Sequence, residues 1–209
     1  MKAILGRKIL MTRIFDEEGM QVPVTLVKLE NNIVTQIKNL EKDGYEAVQV
    51  GAGEKKKLNK AEEGHFKKVD SKIKPKVLYE IKIPPAGGGD NYELGQALTI
   101  DQFKEEEMVN VTGVSKGKGF AGTVKRHNFH LGPKTHGSHN YRQPGSIGAT
   151  YPERVIKGRR MAGHMGNERV TVKNLKIVKI NNEASEILLR GAIPGPLNTH
   201  VLIWSHNEN

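Results

Sequence analysis

Residues 113–169 cannot build a hydrophobic core of their own, and that limits what the rest of the chain can be. These 57 residues hold 11 Lys or Arg, 2 acidic residues, 5 His and 11 Gly. They show neither the 3.6-residue period of an amphipathic helix nor the alternation of a half-buried strand. With so few large apolar side chains, internal contacts cannot offset the conformational entropy lost on ordering. A structureless loop of this length is unusual inside a compact domain, so something outside the segment must order it. The other residues carry 22 basic and 21 acidic side chains, so the formal charge of +10 is +9 from this segment and +1 from everything else. Charge this concentrated, on a backbone rich in Gly, points to a segment that lies against a polyanion.

Composition narrows the alternatives. An apolar fraction of 36% is low for a chain that buries everything itself, and an aromatic fraction of 5% leaves few platforms for stacking bases. Without cysteine, disulfides and thiolate metal sites are excluded. The opening residues 1–8 have no apolar run of signal-peptide length, and no stretch approaches the roughly 18–20 apolar residues of a membrane span. The expectation is a cytoplasmic protein with no membrane partner.

The two ends read as β structure. Val22, Val24 and Leu26 alternate with Pro23 and Thr25, and Pro23, lacking an N–H, belongs at an edge or strand start. Residues 33–37 form the next candidate strand. Residues 170–180 are rich in β-branched side chains, and their alternation slips near Asn174, which predicts a bulge. Residues 186–190 and 201–204 read as strands on either side of the Pro194-Gly195-Pro196 break. Short strands with regular turns predict a small barrel or sandwich. Residues 40–95 read as an insertion. It carries Lys55-Lys56-Lys57, a short helix opened by Asn59 with Glu62 as its capping box, a strand over 77–83 and a Gly-rich turn over 84–90. The lysine run is more readily a solvated face than a specific contact. A short helix is predicted over 101–107, then a strand over 108–114 leading into the basic segment.

Two motifs in that segment imitate chemistry. Gly117-Lys118-Gly119-Phe120-Ala121-Gly122 has dinucleotide-loop spacing. A nucleotide fold would need a long helix after it and an acidic residue about 20 positions on. Here the first downstream acid is Glu153. The better reading is a turn whose N–H groups, with Lys116, Lys118, Lys125 and Arg126, approach phosphates. His127, His130, His136 and His139 form two H-x-x-H pairs, but no Cys, Asp or Glu lies among them, and Gly132-Pro133 and Gly137 prevent one helix from aligning them. His127, His136 and His139 are therefore read as RNA-facing imidazoles. Ser115, Ser138 and Ser146 have no acidic neighbour in sequence to complete a triad. No metal site, cofactor, small-molecule substrate or catalytic constellation is expected. Lys134, Arg142, Lys157, Arg159, Arg160 and Arg169 complete the expected phosphate and RNA contacts, since Arg forks bind two oxygens at once.

Val111-Thr112-Gly113-Val114-Ser115-Lys116-Gly117-Lys118-Gly119-Phe120 resembles a stretch of the bacterial ribosomal protein L-three family, the third protein of the large subunit. So do His136-Gly137-Ser138-His139, Pro144-Gly145-Ser146-Ile147-Gly148 and the run from Met161-Ala162-Gly163-His164 to Val172. The resemblance also takes in Ile4-Leu5-Gly6-Arg7-Lys8 and Gly191-Ala192-Ile193-Pro194-Gly195, and is loose only over 40–90. It implies a mainly β fold: a small translation-protein-type β-barrel with an inserted α+β subdomain and a long irregular basic extension. The corresponding boundaries are 1–39, 96–112 and 170–209 for the barrel, 40–95 for the insertion and 113–169 for the extension. It implies binding to 23S rRNA near its 3′ end, a part in early 50S assembly, and neighbouring large-subunit proteins as partners. It maps a loop tip near the peptidyl transferase centre onto Gly145, Ser146, Ile147, Gly148, Ala149, Thr150 and Tyr151. Two departures stand out. Ala149 occupies the place of a Gln methylated in some relatives, which implies that this modification is absent. Leu10 stands where relatives have Gly, which bears on local backbone geometry. The competing classes are a His-dependent metal hydrolase and a nonspecific basic RNA chaperone.

Overall fold

The computed structural model describes residues 2–69, 74–82 and 92–205. They divide into two compact units, Met1–Val114 with Arg169–Asn209, and Ser115–Glu168. The first unit is built on β1 (Lys2–Phe15) and β2 (Gln21–Leu29), β7 (Met108–Val114), β10 (Arg169–Asn181), β11 (Glu186–Arg190) and β12 (His200–Ser205). These six antiparallel strands close into a barrel in the order β1-β12-β7-β10-β11-β2. Pro23 falls one residue beyond the end of the β2–β11 ladder, which stops at Val24 opposite Arg190. Its carbonyl still accepts the Gly191 N–H at 2.8 Å, and Thr25 Oγ1 donates to Gly191 O at 2.6 Å, so the strand end is held without a proline N–H.

The slip of alternation in β10 is a bulge. Pairing with β7 shifts between Val172 and Leu175, and Asn174 adopts a positive φ of 56°. Asparagine tolerates this conformation better than most residues, and Asn110 Oδ1 accepts the Asn174 N–H at 3.1 Å. A second shift, between Lys8 and Leu10 in the β1–β2 pairing, places an irregularity beside Leu10, where the resemblance had marked local geometry.

A second sheet packs on the barrel. β3 (Asn32–Lys38), β4 (Ala47–Ala52), β5 (Val77–Lys82) and β6 (Ala97–Leu98) hydrogen-bond in the order β5-β4-β3-β6. β3 and β6, on either side of the insertion expected over 40–95, belong to this sheet and not to the barrel. Alternation along a strand shows which face is buried, but not which neighbour it pairs with. Helices α1 (Leu40–Asp43) and α2 (Lys60–Phe66) flank the strands. Glu62 caps α2 as expected, accepting the Asn59 N–H at 2.9 Å, and it also accepts Lys55 Nζ at 2.8 Å. One member of the lysine run is thus held internally, whereas Lys56 and Lys57 are exposed. The helix expected over 101–107 is a single 3-10 turn, Ile100–Gln102. It ends before Glu106, whose φ of 70° is incompatible with a helix. The Gly-rich turn over 84–90 lies outside the described residues.

Period-2 geometry explains why residues 3–5 of β1 and 201–204 of β12 are apolar without alternation, since both faces are buried there. Ile4 and Ile203 join Val27, Val111, Ile177 and Ile187 inside the barrel. Their neighbours Ala3, Leu5 and Leu202 turn outward into a second core with Val34, Val48 and Val50 of the four-stranded sheet. Each such side chain contributes roughly 1.5–3 kcal/mol when fully buried. At Gly6 an added Cβ would stand 2.5 Å from Val27 Cγ1, so this crowded strand accepts only hydrogen there.

Candidate nucleic-acid interface

Ser115–Glu168 begins and ends as a two-stranded ribbon. Ser115 N–H donates to Glu168 O at 2.9 Å, Lys118 N–H to Met165 O at 2.9 Å, and Met165 N–H to Gly119 O at 3.0 Å. The ribbon then pairs β8 (Phe120–Ala121) with β9 (Gly163–His164). Its strands approach so closely that a Cβ at Gly166, where φ is 75°, would collide with the carbonyl oxygen of Lys116. Beyond the ribbon comes one short helix, α3 (Thr123–His127), which ends at Asn128 in the left-handed conformation. The rest of the unit has no regular structure. Gly132 N–H donates to Tyr141 O at 2.9 Å, and a Cβ at Gly132 would overlap the Asn140 carbonyl oxygen. Backbone approach of this kind is what the glycines of the segment supply.

Only Ala121 and Thr123 are buried in this unit. Its boundaries fall two residues inside the expected start and one inside the expected end, because Gly113 and Val114 complete β7 and Arg169 opens β10. The unit has ten Lys and Arg against Glu153 and Glu168. Every salt bridge among the described residues lies in the other unit, including Lys38–Glu80 at 2.6 Å, Lys2–Glu107 at 3.4 Å and Lys55–Glu62 at 2.8 Å. The cations of the barrel unit are thus partly matched by carboxylates, while those of the extension have no carboxylate partner among the described residues.

The expected contact residues fall into two groups. Lys116, Lys118, Lys125, Lys134, Arg142, Lys157 and Arg160 are exposed, as are His136 and His139. Lys134 Nζ lies 5.3 Å from the Tyr141 ring centre, a cation–π contact that leaves its charge accessible. The others also brace the segment itself. Arg126 Nη1 donates to Met161 O at 2.8 Å, and His127 Nε2 lies 3.0 Å from the same oxygen. Arg159 Nη2 donates to Ser146 O at 2.6 Å, holding the base of the tip loop. Arg169 lies in the barrel unit, its guanidinium 5.5 Å from the Tyr79 ring centre. Tip residues Gly145, Ser146, Ile147, Gly148, Ala149, Thr150 and Tyr151 are all exposed, and Ser146 Oγ donates to Gly148 O at 2.8 Å. Arg142, Ile147 and Met161 line a shallow recess of about 480 Å³. Among the described residues no three of His, Asp and Glu form a group that could hold a metal. The turn expected over residues 117–122 is instead part of the ribbon, where Phe120 lies exposed in β8.

A closed barrel bearing a coreless, unneutralised polycationic excursion has the build of a structural nucleic-acid-binding protein. Residues 90–200 match the family model described as Ribosomal protein L3. The chain is 50% identical over 206 residues to the large ribosomal subunit protein uL3 of Heliobacterium modesticaldum, covering 98% of this chain and 96% of that one. It is 49% identical over 207 residues to that of Vibrio parahaemolyticus, covering 97% of each. The uL3 of Syntrophus aciditrophicus is 48% identical over 205 residues, 97% of this chain and 92% of its own. This chain belongs to the ribosomal protein L3 family. It is therefore a structural, rRNA-binding constituent of the large ribosomal subunit and not an enzyme.

Proposed function

We propose that this protein binds 23S rRNA near its 3′ end, helps to nucleate 50S assembly and supports rRNA close to the peptidyl transferase centre. The barrel is a translation-protein-type anchor, and the four-stranded sheet β5-β4-β3-β6 belongs to its inserted subdomain. The extension enters the RNA, with Gly145 to Tyr151 at its tip, and neighbouring large-subunit proteins complete its surroundings in the cytoplasmic ribosome. The observation that carries this reading is the coreless unit Ser115–Glu168, with ten cations and no carboxylate partner for them among the described residues. Phosphates supply the counter-charge that the protein withholds.

Counterion release makes the reading testable. With about 6–10 phosphates neutralised, affinity for a 23S rRNA transcript should fall by about 10³–10⁵ between 50 and 200 mM salt. A flat salt response would overturn it. Hydroxyl-radical footprinting on the same transcript should give one defined protected region; protection scattered along the RNA would favour a nonspecific chaperone.

A further inference from the structure

The ribbon at the root of the extension has two unlike faces. In antiparallel pairing, residues directly opposite share a face and successive residues alternate. Ala121 opposite Gly163 forms one face. Ala121 is buried there, and a Cβ at Gly163 would lie 2.8 Å from Arg126 Nη1, so the Arg126 side chain covers this face. Phe120 opposite His164 forms the other. Phe120 is 82% exposed and packs on no other aromatic ring among the described residues, and His164 is exposed beside it. The two half-buried aromatics of the unit are engaged: Phe129 lies against the His127 ring and Tyr141 beneath Lys134. Phe120 is thus a large flat ring held on a rigid two-stranded base, with Lys118 two residues before it and its other face open to solvent.

We propose that Phe120 and His164 form a stacking platform for one unpaired nucleobase of rRNA. The inference rests on the RNA-binding reading above and adds a contact of a different kind. Phosphate contacts hold the extension by charge and release counterions. A base stacked on Phe120 releases none. The choice of a base over an apolar protein segment follows from the surroundings. In residues 115–152 there is no acidic side chain, and Lys116, Lys118, Lys125 and Arg126 all lie within six residues of Phe120. A polyanion that meets those charges brings bases to the ring, and unpaired bases in folded RNA commonly stack on aromatic and imidazole planes.

The two kinds of contact separate in one binding experiment with the full-length protein and a 23S rRNA transcript. Phe120→Ala should weaken binding by about 5- to 150-fold, the range for losing one base–aromatic stack, with the slope of affinity against salt unchanged. Phe120→Trp should bind at least as well as wild type. Phe120→Leu, apolar but without a π face, should stay weak, and His164→Ala should weaken binding less than Phe120→Ala. Because the ring is exposed, all four should keep the wild-type thermal unfolding midpoint. Binding of Phe120→Ala within twofold of wild type, or wild-type binding by Phe120→Leu, would overturn the platform while a steep wild-type salt response left the phosphate reading intact. A flat salt response in the wild type would remove both.

Discussion

At Asn32 one side chain does the work of a missing strand. Leu5 lies beyond the β1–β2 ladder, which begins at Gly6 opposite Leu29. Asn32 Oδ1 accepts the Leu5 N–H at 2.9 Å, and Asn32 Nδ2 donates to Leu5 O at 2.8 Å and to Glu30 O at 2.6 Å. The residue is 2% exposed, so water cannot take its place. Asn32→Ala leaves these buried groups orphaned, and each costs about 1–3 kcal/mol. A lowered urea midpoint at constant m-value would show it. Asn32→Asp should be at least as damaging, because a carboxylate cannot donate to the two carbonyls. Lys8 plays a related part, with Nζ donating to Ile193 O and Gly195 O at 2.9 Å each from a position only 9% exposed. His200 sets a pH response. Burial holds its imidazole below the ordinary value, helped by Lys76 and Arg7 and opposed by Glu30. A depressed folded value means that the unfolded chain binds protons first. The stabilisation from keeping His200 neutral is present above about pH 6.5. It is lost as the pH falls from there through the lowered folded value. Unfolding titrations from pH 8 to 5 should show that loss, and His200→Gln should flatten it.

Among the elements, the strands differ in how plainly they could be read. β2 and β10 announce themselves because one face is apolar and the other is not, and even the bulge at Asn174 shows as a phase slip. β4 does not, because all six of its residues are buried and Ala47, Gly51 and Ala52 have no bulk to mark a period. The placement of β3 was illegible for another reason: sheet membership is a matter of partners. In the extension, a count of cations was legible, but their division was not. That Arg126 and Arg159 brace backbone carbonyls while Lys116 and Lys118 stand clear depends on turns that no periodicity encodes. Val114 and Arg169 are cross-strand partners, so the excursion leaves and rejoins the barrel unit at one rung. Replacing Ser115–Glu168 with a two-residue Asn-Gly turn should therefore give a folded barrel unit whose thermal midpoint lies within a few degrees of wild type. A molten or insoluble product would show that the barrel depends on the extension.

For the whole molecule, the separation of charge assigns separate tasks. Substituting Lys116 or Lys118 by Ala should lower the salt slope of RNA binding by about 1 for each phosphate lost. The same change at Lys56 or Lys57 should leave the slope in place if that face is merely solvated, and binding isotherms at four salt concentrations suffice to tell. Glu107 illustrates the opposite economy in the barrel unit. Burial would raise its carboxyl, but Ser205 Oγ at 2.7 Å, the Lys104 N–H at 3.0 Å and Lys2 hold it below the usual carboxylate range. These contacts join the beginning and end of the fold, since Lys2 is paired with Ser205 where β1 meets β12. That seam imposes an order in time. A growing chain makes β1 first and β12 last, so the ring cannot be sealed until the polycation between them has already been synthesised. For that interval the newborn protein is an open sheet trailing a sticky, unshielded arm, and the earliest RNA it meets encounters the arm before the anchor is complete.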